Sequence, residues 1–442
     1  MAMLAAMVAP VVAKAVFAHV IVGNVASYTE DQWLSDMTLA QEAGIDGFVL
    51  NIASPWEDPT ITQVAAAFIV ANNMSTDFKL FFSFDYSADG AWDASEVTEI
   101  LNEYVANYAY YNETTTNKAL VSTFEGPANA GDWSDTIIPG VDGGIFFVPD
   151  WTSVGTTGIV ESEYYDTIDG AFSWDMWPEG PVNVSDTNDK AWVSALGTDK
   201  AFMMGVSPWF YTDLPGYSKS WVWRGDDAWH IRWAQVLDVD PEFVEIVSWN
   251  DYGESHYVGP IWDAGIPSGT YDGKSVDAHP YVDGMPHEAW LNILPYYIAQ
   301  YKTGAPTVST EKLQFWYRLT PGDAGTTEAT GDNCAGSYDI NTGTQTCYAA
   351  SEIVQDKVFF TALLSEAATV TVKIGDNDAI EFAAGDVGPN HFAQDFNGQT
   401  GNVTVAIVRD GTTVATATGP AISASPASGT TNFNAWVGGA SA

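Results

Sequence analysis

Two carboxylates three residues apart, Asp251 and Glu254 in the stretch Trp249 to His256 (WNDYGESH), are the side chains best placed to do chemistry in this chain. Paired carboxyl groups can flank a glycosidic bond, one protonating the leaving oxygen while the other activates water or attacks the anomeric carbon. Gly253 between them permits an unusual backbone turn, and Asn250 and His256 can supply supporting hydrogen bonds. Aromatic residues surround the pair, as in a pocket for an organic ligand. Other chemistries are poorly supplied, since the chain has no GxSxG elbow, HExxH, Walker A or convincing GxGxxG motif. His19, His230, His256, His279, His287 and His391 are too scattered to read as a metal cluster, so neither a metal nor a cofactor is expected. His230 falls within a helical pattern and reads as structural.

The pair needs elements to hold it. Eight apolar, β-branched or aromatic runs precede and include it: Ala15 to Asn24, Gly44 to Ile52, Phe78 to Tyr86, Lys118 to Gly126, Gly143 to Trp151, Gly170 to Trp177, Lys200 to Tyr211 and Phe243 to Glu254. Helical patterns lie between them. Thr29 to Gln32 (TEDQ) is a capping box, with Gly44 where a C′ glycine stops the helix. Asp226 to Leu237 and Ala289 to Gln300 read as amphipathic helices. Eight buried parallel strands at this spacing predict a (β/α)8 TIM barrel over residues 15–304, an open doubly wound sheet being the alternative. In a barrel the reacting groups sit at the C-terminal strand ends. Those ends offer His19, Asn51, Asp85, Glu125, Asp150, Asp175, Trp209, Tyr211, Trp249, Asn250 and His256, with Asp150 reading equally well as a loop tether. From about Lys302 the texture changes to Thr, Ala, Gly and Val alternations such as Ala368 to Gly375 and Asn402 to Asp410, the pattern of an antiparallel β-sandwich over residues 305–442. Trp316 and Tyr317 either begin that domain or seal it against the barrel.

Composition agrees with an exported globular protein. The 442 residues are 46% hydrophobic and 16% charged, enough for two domains with large cores. The formal net charge of −42 excludes nucleic acid and anionic membranes as partners. The 18 Trp, 20 Tyr and 21 Phe favour sugar rings without deciding for them. Residues 1–14 look like the remnant of a signal peptide, Asn73, Asn112, Asn183 and Asn402 stand in glycosylation sequons, and no apolar run reaches a membrane span. Secretion and a monomeric state are expected. Cys334 and Cys347 flank a Gly/Asn/Thr-rich loop and are expected to form a disulfide.

Several motifs in order (FAHVIVGN, GIDGFVLNI, FFSFDY, FEG, FSWDMWPEG, GVSPWFY and EIVSWNDYGESHYVGP) resemble glycoside hydrolase family 71, the fungal endo-α-1,3-glucanases called mutanases, from about Val16 to Gln300. The resemblance implies a barrel fused to a β-sandwich that hydrolyses α-1,3-glucan with inversion. It places the family's Asp-x-x-Glu pair on Asp251 and Glu254, with Glu254 as general acid and Asp251 as the base that positions water. By the same resemblance Asp85 binds substrate, with Glu125, Asp175, Trp209 and Tyr211 as subsite contacts. The nearest rivals are a barrel glycosidase acting on another glycan, such as an endo-α-mannosidase, and a glucan-binding protein without activity.

Overall fold

The computed structural model describes residues 13–271, 273–332 and 347–442. Its first part is the barrel. The strands are β1 (Ala15–Ile21), β2 (Gly47–Ala53), β3 (Lys79–Asp85), β4 (Ala119–Phe124), β5 (Ile145–Phe147), β6 (Gly170–Ser173) and β7 (Ala201–Val206). A hairpin, β8 (Tyr211–Leu214) and β9 (Lys219–Val222), then precedes the eighth barrel strand, β10 (Phe243–Ile246). Parallel ladders run in the order β5-β4-β3-β2-β1-β10-β7-β6, so every barrel strand pairs with its neighbour in sequence and β10 returns to β1. The ring closes at Asp150, which bridges Phe124 on one side and Phe172 on the other. That closure excludes the open doubly wound sheet.

The strands form where the sequence runs apolar on both faces, because the barrel buries one face inward and the other beneath helices. Val16, Phe17, Phe48, Phe81, Val121, Phe147, Met203 and Val244 are all fully buried. The first crossover helix, Glu30–Glu42, starts on the capping box of Thr29 and Gln32 and stops at Gly44, whose φ of +90° suits glycine. The helix expected from Asp226 forms as Ala228–Val239. The one expected from Ala289 divides into a 3-10 turn, Glu288–Asn292, and a helix, Leu294–Thr303, because Pro295 sits in the first turn of the second helix.

Beyond the barrel, two four-stranded antiparallel sheets face each other. One has the strands 388–395, 357–364, 312–317 and 436–441, the other 380–384, 368–374, 401–409 and 412–422. Leu313, Phe315, Tyr317, Phe360, Val370 and Val405 fill the space between them. Strand alternation sends Trp316 the other way, into the barrel's core cluster, where its Nε1 donates to the Asp226 carbonyl at 2.7 Å. Trp316 therefore seals the barrel while Tyr317 belongs to the sandwich. Residues 330–331 and 348–349 join neither sandwich sheet but extend the β8–β9 hairpin at the barrel mouth. The expected disulfide depends on Cys334, which lies outside the described residues, as do residues 1–12 of the expected leader. Among the described residues, no helix is long and apolar enough to cross a membrane.

Candidate active site

The turn after β10 is built locally. Ser248 Oγ accepts the Asp251 N–H at 2.8 Å, and Asp251 Oδ1 accepts the Glu254 N–H at 3.0 Å, an Asx-type closure that fixes the three-residue spacing. The buried Asn250 anchors the turn to the end of β1, its Oδ1 accepting from Ile21 N at 2.8 Å and its Nδ2 donating to Ile21 O at 3.0 Å. Tyr281 Oη donates to the Gly253 carbonyl at 2.8 Å. Every one of these bonds uses backbone that a loose loop would leave to solvent, so the two carboxylates stand on a rigid base.

Both side chains remain part-exposed, Asp251 at 19% and Glu254 at 18%. His256 lies between them, with Nε2 3.2 Å from Glu254 Oε2 and 3.8 Å from Asp251 Oδ2, and Nδ1 2.9 Å from Ser248 Oγ. Lys219 reaches in from β9 and places Nζ 2.7 Å from Glu254 Oε1. Burial works to raise the Glu254 carboxyl, but the Lys219 ammonium and then His256 outweigh it and hold the group well below the ordinary carboxylate range. Burial raises Asp251, His256 pulls it down, and the negative charge of Glu254 pushes it up again, leaving it raised. The two neighbours are thus driven apart, Glu254 toward the ionised form and Asp251 toward the protonated one.

Around this centre the remaining strand-end residues divide. His19 on β1 pairs its Nδ1 with Glu245 Oε1 at 2.6 Å beneath the mouth. Asn51, on β2, is buried. Asp85 at the end of β3 accepts the N–H groups of Ser87 and Ala88, and burial raises its carboxyl against them. Its charge is felt by Lys219, as is that of Asp251. Glu125 stands in the left-handed region at φ +55° and accepts hydrogen bonds from Ser153 N and Oγ. Asp175 accepts from Ser173 Oγ at 3.2 Å and Trp192 Nε1 at 3.4 Å. Asp150 is fully buried, its Oδ1 tied to Thr152, which is the tether reading.

Four expected substrate contacts point elsewhere. Trp209 is buried, donating Nε1 to the Phe433 carbonyl at 2.9 Å across to the C-terminal segment. Tyr211 is buried against Tyr281 and Phe433. Trp249 is buried with Nε1 on Asp36 Oδ2 at 3.0 Å, and both ends of the Asn250 amide are used by Ile21. These four support the site without facing a ligand. Position at a strand end is shared by both faces of the strand, and only one face looks into the mouth. Conversely, Lys219, Trp174, Trp177 and Trp223 stand at the site without having been singled out. The two tryptophans flanking Asp175 in FSWDMWPEG were the available signal for two of them.

Asp251, Glu254 and His256 also bring one possible metal-ligand atom each within 4.8 Å of one another. The Lys219 ammonium already supplies the positive charge there, so the set suits proton chemistry better than a cation.

The family described as Glycosyl hydrolase family 71 matches residues 12–442. The chain belongs to this family. It is accordingly a glycoside hydrolase, and its strand-eight carboxylate pair stands at the mouth where a TIM barrel does its chemistry. The chain is 35% identical to the glucan endo-1,3-alpha-glucosidase agn1 of Schizosaccharomyces pombe, over 96% of this chain and 94% of that protein. It is 34% identical to the mutanase Pc12g07500 of Penicillium rubens, over 96% of this chain and 88% of that protein. Among solved structures it is similar to a GH99 endo-alpha-mannosidase from Bacteroides thetaiotaomicron, with a TM-score of 0.43 at 12% identity, covering 63% of this chain and 80% of the other.

Proposed function

We propose that this family 71 enzyme cleaves internal α-1,3-glucosidic bonds of α-1,3-glucan outside the cell, with Asp251 and Glu254 at the reacting centre. The observation that carries the reading is the paired carboxylate turn, with its opposed protonation preferences, in a chain two of whose relatives are named for that bond. Export is supported by the exposed sequon residues Asn73 and Asn402 and by a further relative named as an ascus wall endo-1,3-alpha-glucanase.

The division of labour follows the electrostatics and departs from the one that the resemblance implied, moving the acid role to Asp251. Lys219 keeps Glu254 ionised, so Glu254 is ill suited to donate a proton. Asp251, raised by burial and by Glu254's charge, protonates the leaving glucosidic oxygen, while the Glu254 carboxylate stabilises the positive charge developing at the anomeric carbon. Oxygens of the two groups lie within 4.8 Å, whereas inverting enzymes space their two carboxyl groups roughly 6.5–9.5 Å apart to admit water. Inversion therefore draws on a third carboxylate, and Asp85, whose charge also reaches Lys219, is the residue we assign to the attacking water.

Purified enzyme incubated with insoluble α-1,3-glucan, and in parallel with β-1,3-glucan, starch and mannan, should release soluble oligosaccharides from the first alone. Release only from mannan would favour the mannosidase reading. Proton NMR of the first product should show the β-anomer, and Asp85→Asn should lose turnover as fully as Asp251→Asn. An initial α-anomer would leave Asp251 and Glu254 as a complete retaining pair.

A further inference from the structure

On the strand-six side, the barrel mouth continues into a cleft of about 400 Å³, within the range of roughly 300–1,000 Å³ usual for small-molecule sites. Trp174, Trp177 and Trp223 form its apolar side, and Asp175, Asn183 and Asn188 contribute polar groups. Ten of the 18 tryptophans are fully buried, whereas these three are only half-buried and open to the cleft. A core role alone does not account for that difference.

The cleft adjoins the reacting centre. The Trp177 ring lies 5.1 Å from that of Trp223, nearly parallel at 19°, and 5.7 Å from the His256 imidazole at 29°. His256 in turn bonds Glu254. The site is thus one aromatic ring away from the carboxylates, too far to touch the bond being cut and close enough to hold the next part of the same chain.

The tryptophans sit on separate elements, Trp177 after β6 and Trp223 at the end of β9. One residue ties the two. Asp332 Oδ2 accepts the Gly180 N–H at 2.7 Å, three residues beyond Trp177, and Asp332 N donates to the Val222 carbonyl at 2.9 Å, the residue before Trp223. That double anchorage holds the two sides of the cleft together, and it reaches over from the segment between the sandwich strands 312–317 and 357–364.

The chemistry of the lining selects the ligand. Flat indole faces suit the C–H face of a pyranose, carboxylate and amide groups suit hydroxyls, and Asp175 with Glu179 repels an anionic sugar. Resting on the α-glucan reading above, we propose that this cleft is a remote subsite for a neutral glucosyl unit, and that Trp223 and Asn188 set the chain length the enzyme requires.

The test uses the full-length protein and α-1,3-linked gluco-oligosaccharides of two to six units. In a Glu254→Gln background, Trp223→Ala should weaken calorimetric binding of the longest oligosaccharides about tenfold, and that of the disaccharide far less. In the active enzyme the loss should fall on KM for long substrates rather than on kcat. Trp223→Phe should recover part of it. Asn188→Ala, an exposed substitution without packing cost, should move KM the same way by a few-fold. Unchanged dependence on chain length in both Trp223→Ala and Asn188→Ala, in an enzyme that cleaves α-1,3-glucan, overturns the cleft assignment alone. A wild type that ignores α-1,3-glucan overturns the substrate reading on which it rests.

Discussion

Replacing Lys219 with methionine removes the only ammonium in contact with Glu254 among the described residues, at 2.7 Å, and keeps most of the apolar stem. An opposite charge in contact lowers a carboxylate by roughly 1–3 pH units. The Lys219 side chain is 43% exposed, so water screens part of its field, and the lower half of that range applies. Glu254 acts ionised, and Asp85, the base for the attacking water, also feels the Lys219 charge, so losing the lysine raises both groups and moves the acid limb of kcat/KM up by at most about one to two pH units. Lys219→Arg, which keeps the charge, should leave the limb nearly in place. The assay is a pH profile of kcat/KM on a soluble α-1,3-linked oligosaccharide for wild type and both variants. An acid limb that stays put in Lys219→Met while the plateau falls would refute the charge argument and make Lys219 a substrate contact.

Three further outcomes follow from the same structure. Asn250→Ala removes both ties to Ile21 and should lower kcat more than KM, since the amide holds the catalytic turn instead of the sugar; a rise in KM alone would put Asn250 at the ligand. Arg232 and Asp189 form a fully buried pair at 2.7 Å, so Asp189→Ala should cost about 3–5 kcal/mol in denaturant unfolding, and a change below about 1 kcal/mol would show the arginine finding another partner. Burial raises Asp36 and Asp226 to about 6 in the folded state. Between pH 4 and 6 the folded chain then holds protons the unfolded chain has lost, so stability falls as pH rises through that window, and Tm should be higher at pH 5 than at pH 7.5. An equal or higher Tm at pH 7.5 would contradict those two shifts.

The barrel was legible because its strands are continuous apolar runs, the one pattern that a strand covered on both faces leaves in a sequence. The carboxylate pair was legible because its geometry is local: three residues, one Asx closure and a histidine two positions on. What escaped depends on contacts made at a distance. Lys219 meets Glu254 from 35 residues away, so the protonation bias that moves the acid role from Glu254 to Asp251 has no local signature. Trp209 finds its partner 224 residues on, at Phe433, and nothing in GVSPWFY says that its ring turns from the mouth. Trp174 and Trp177 were visible as residue types, but which tryptophans stay open is decided by the hairpin and by Asp332, elements brought together only by the fold.

The role of Asp251 and Glu254 is tested most directly by reducing-end release from insoluble α-1,3-glucan by wild type, Asp251→Asn and Glu254→Gln measured side by side, with pull-down on the same glucan. Hydrolysis by the wild type, loss of at least about a hundredfold in each variant, and retained glucan binding in both are expected. Turnover that survives either substitution, with the proteins folded and bound to the glucan, would contradict the assignment of this pair as the reacting centre.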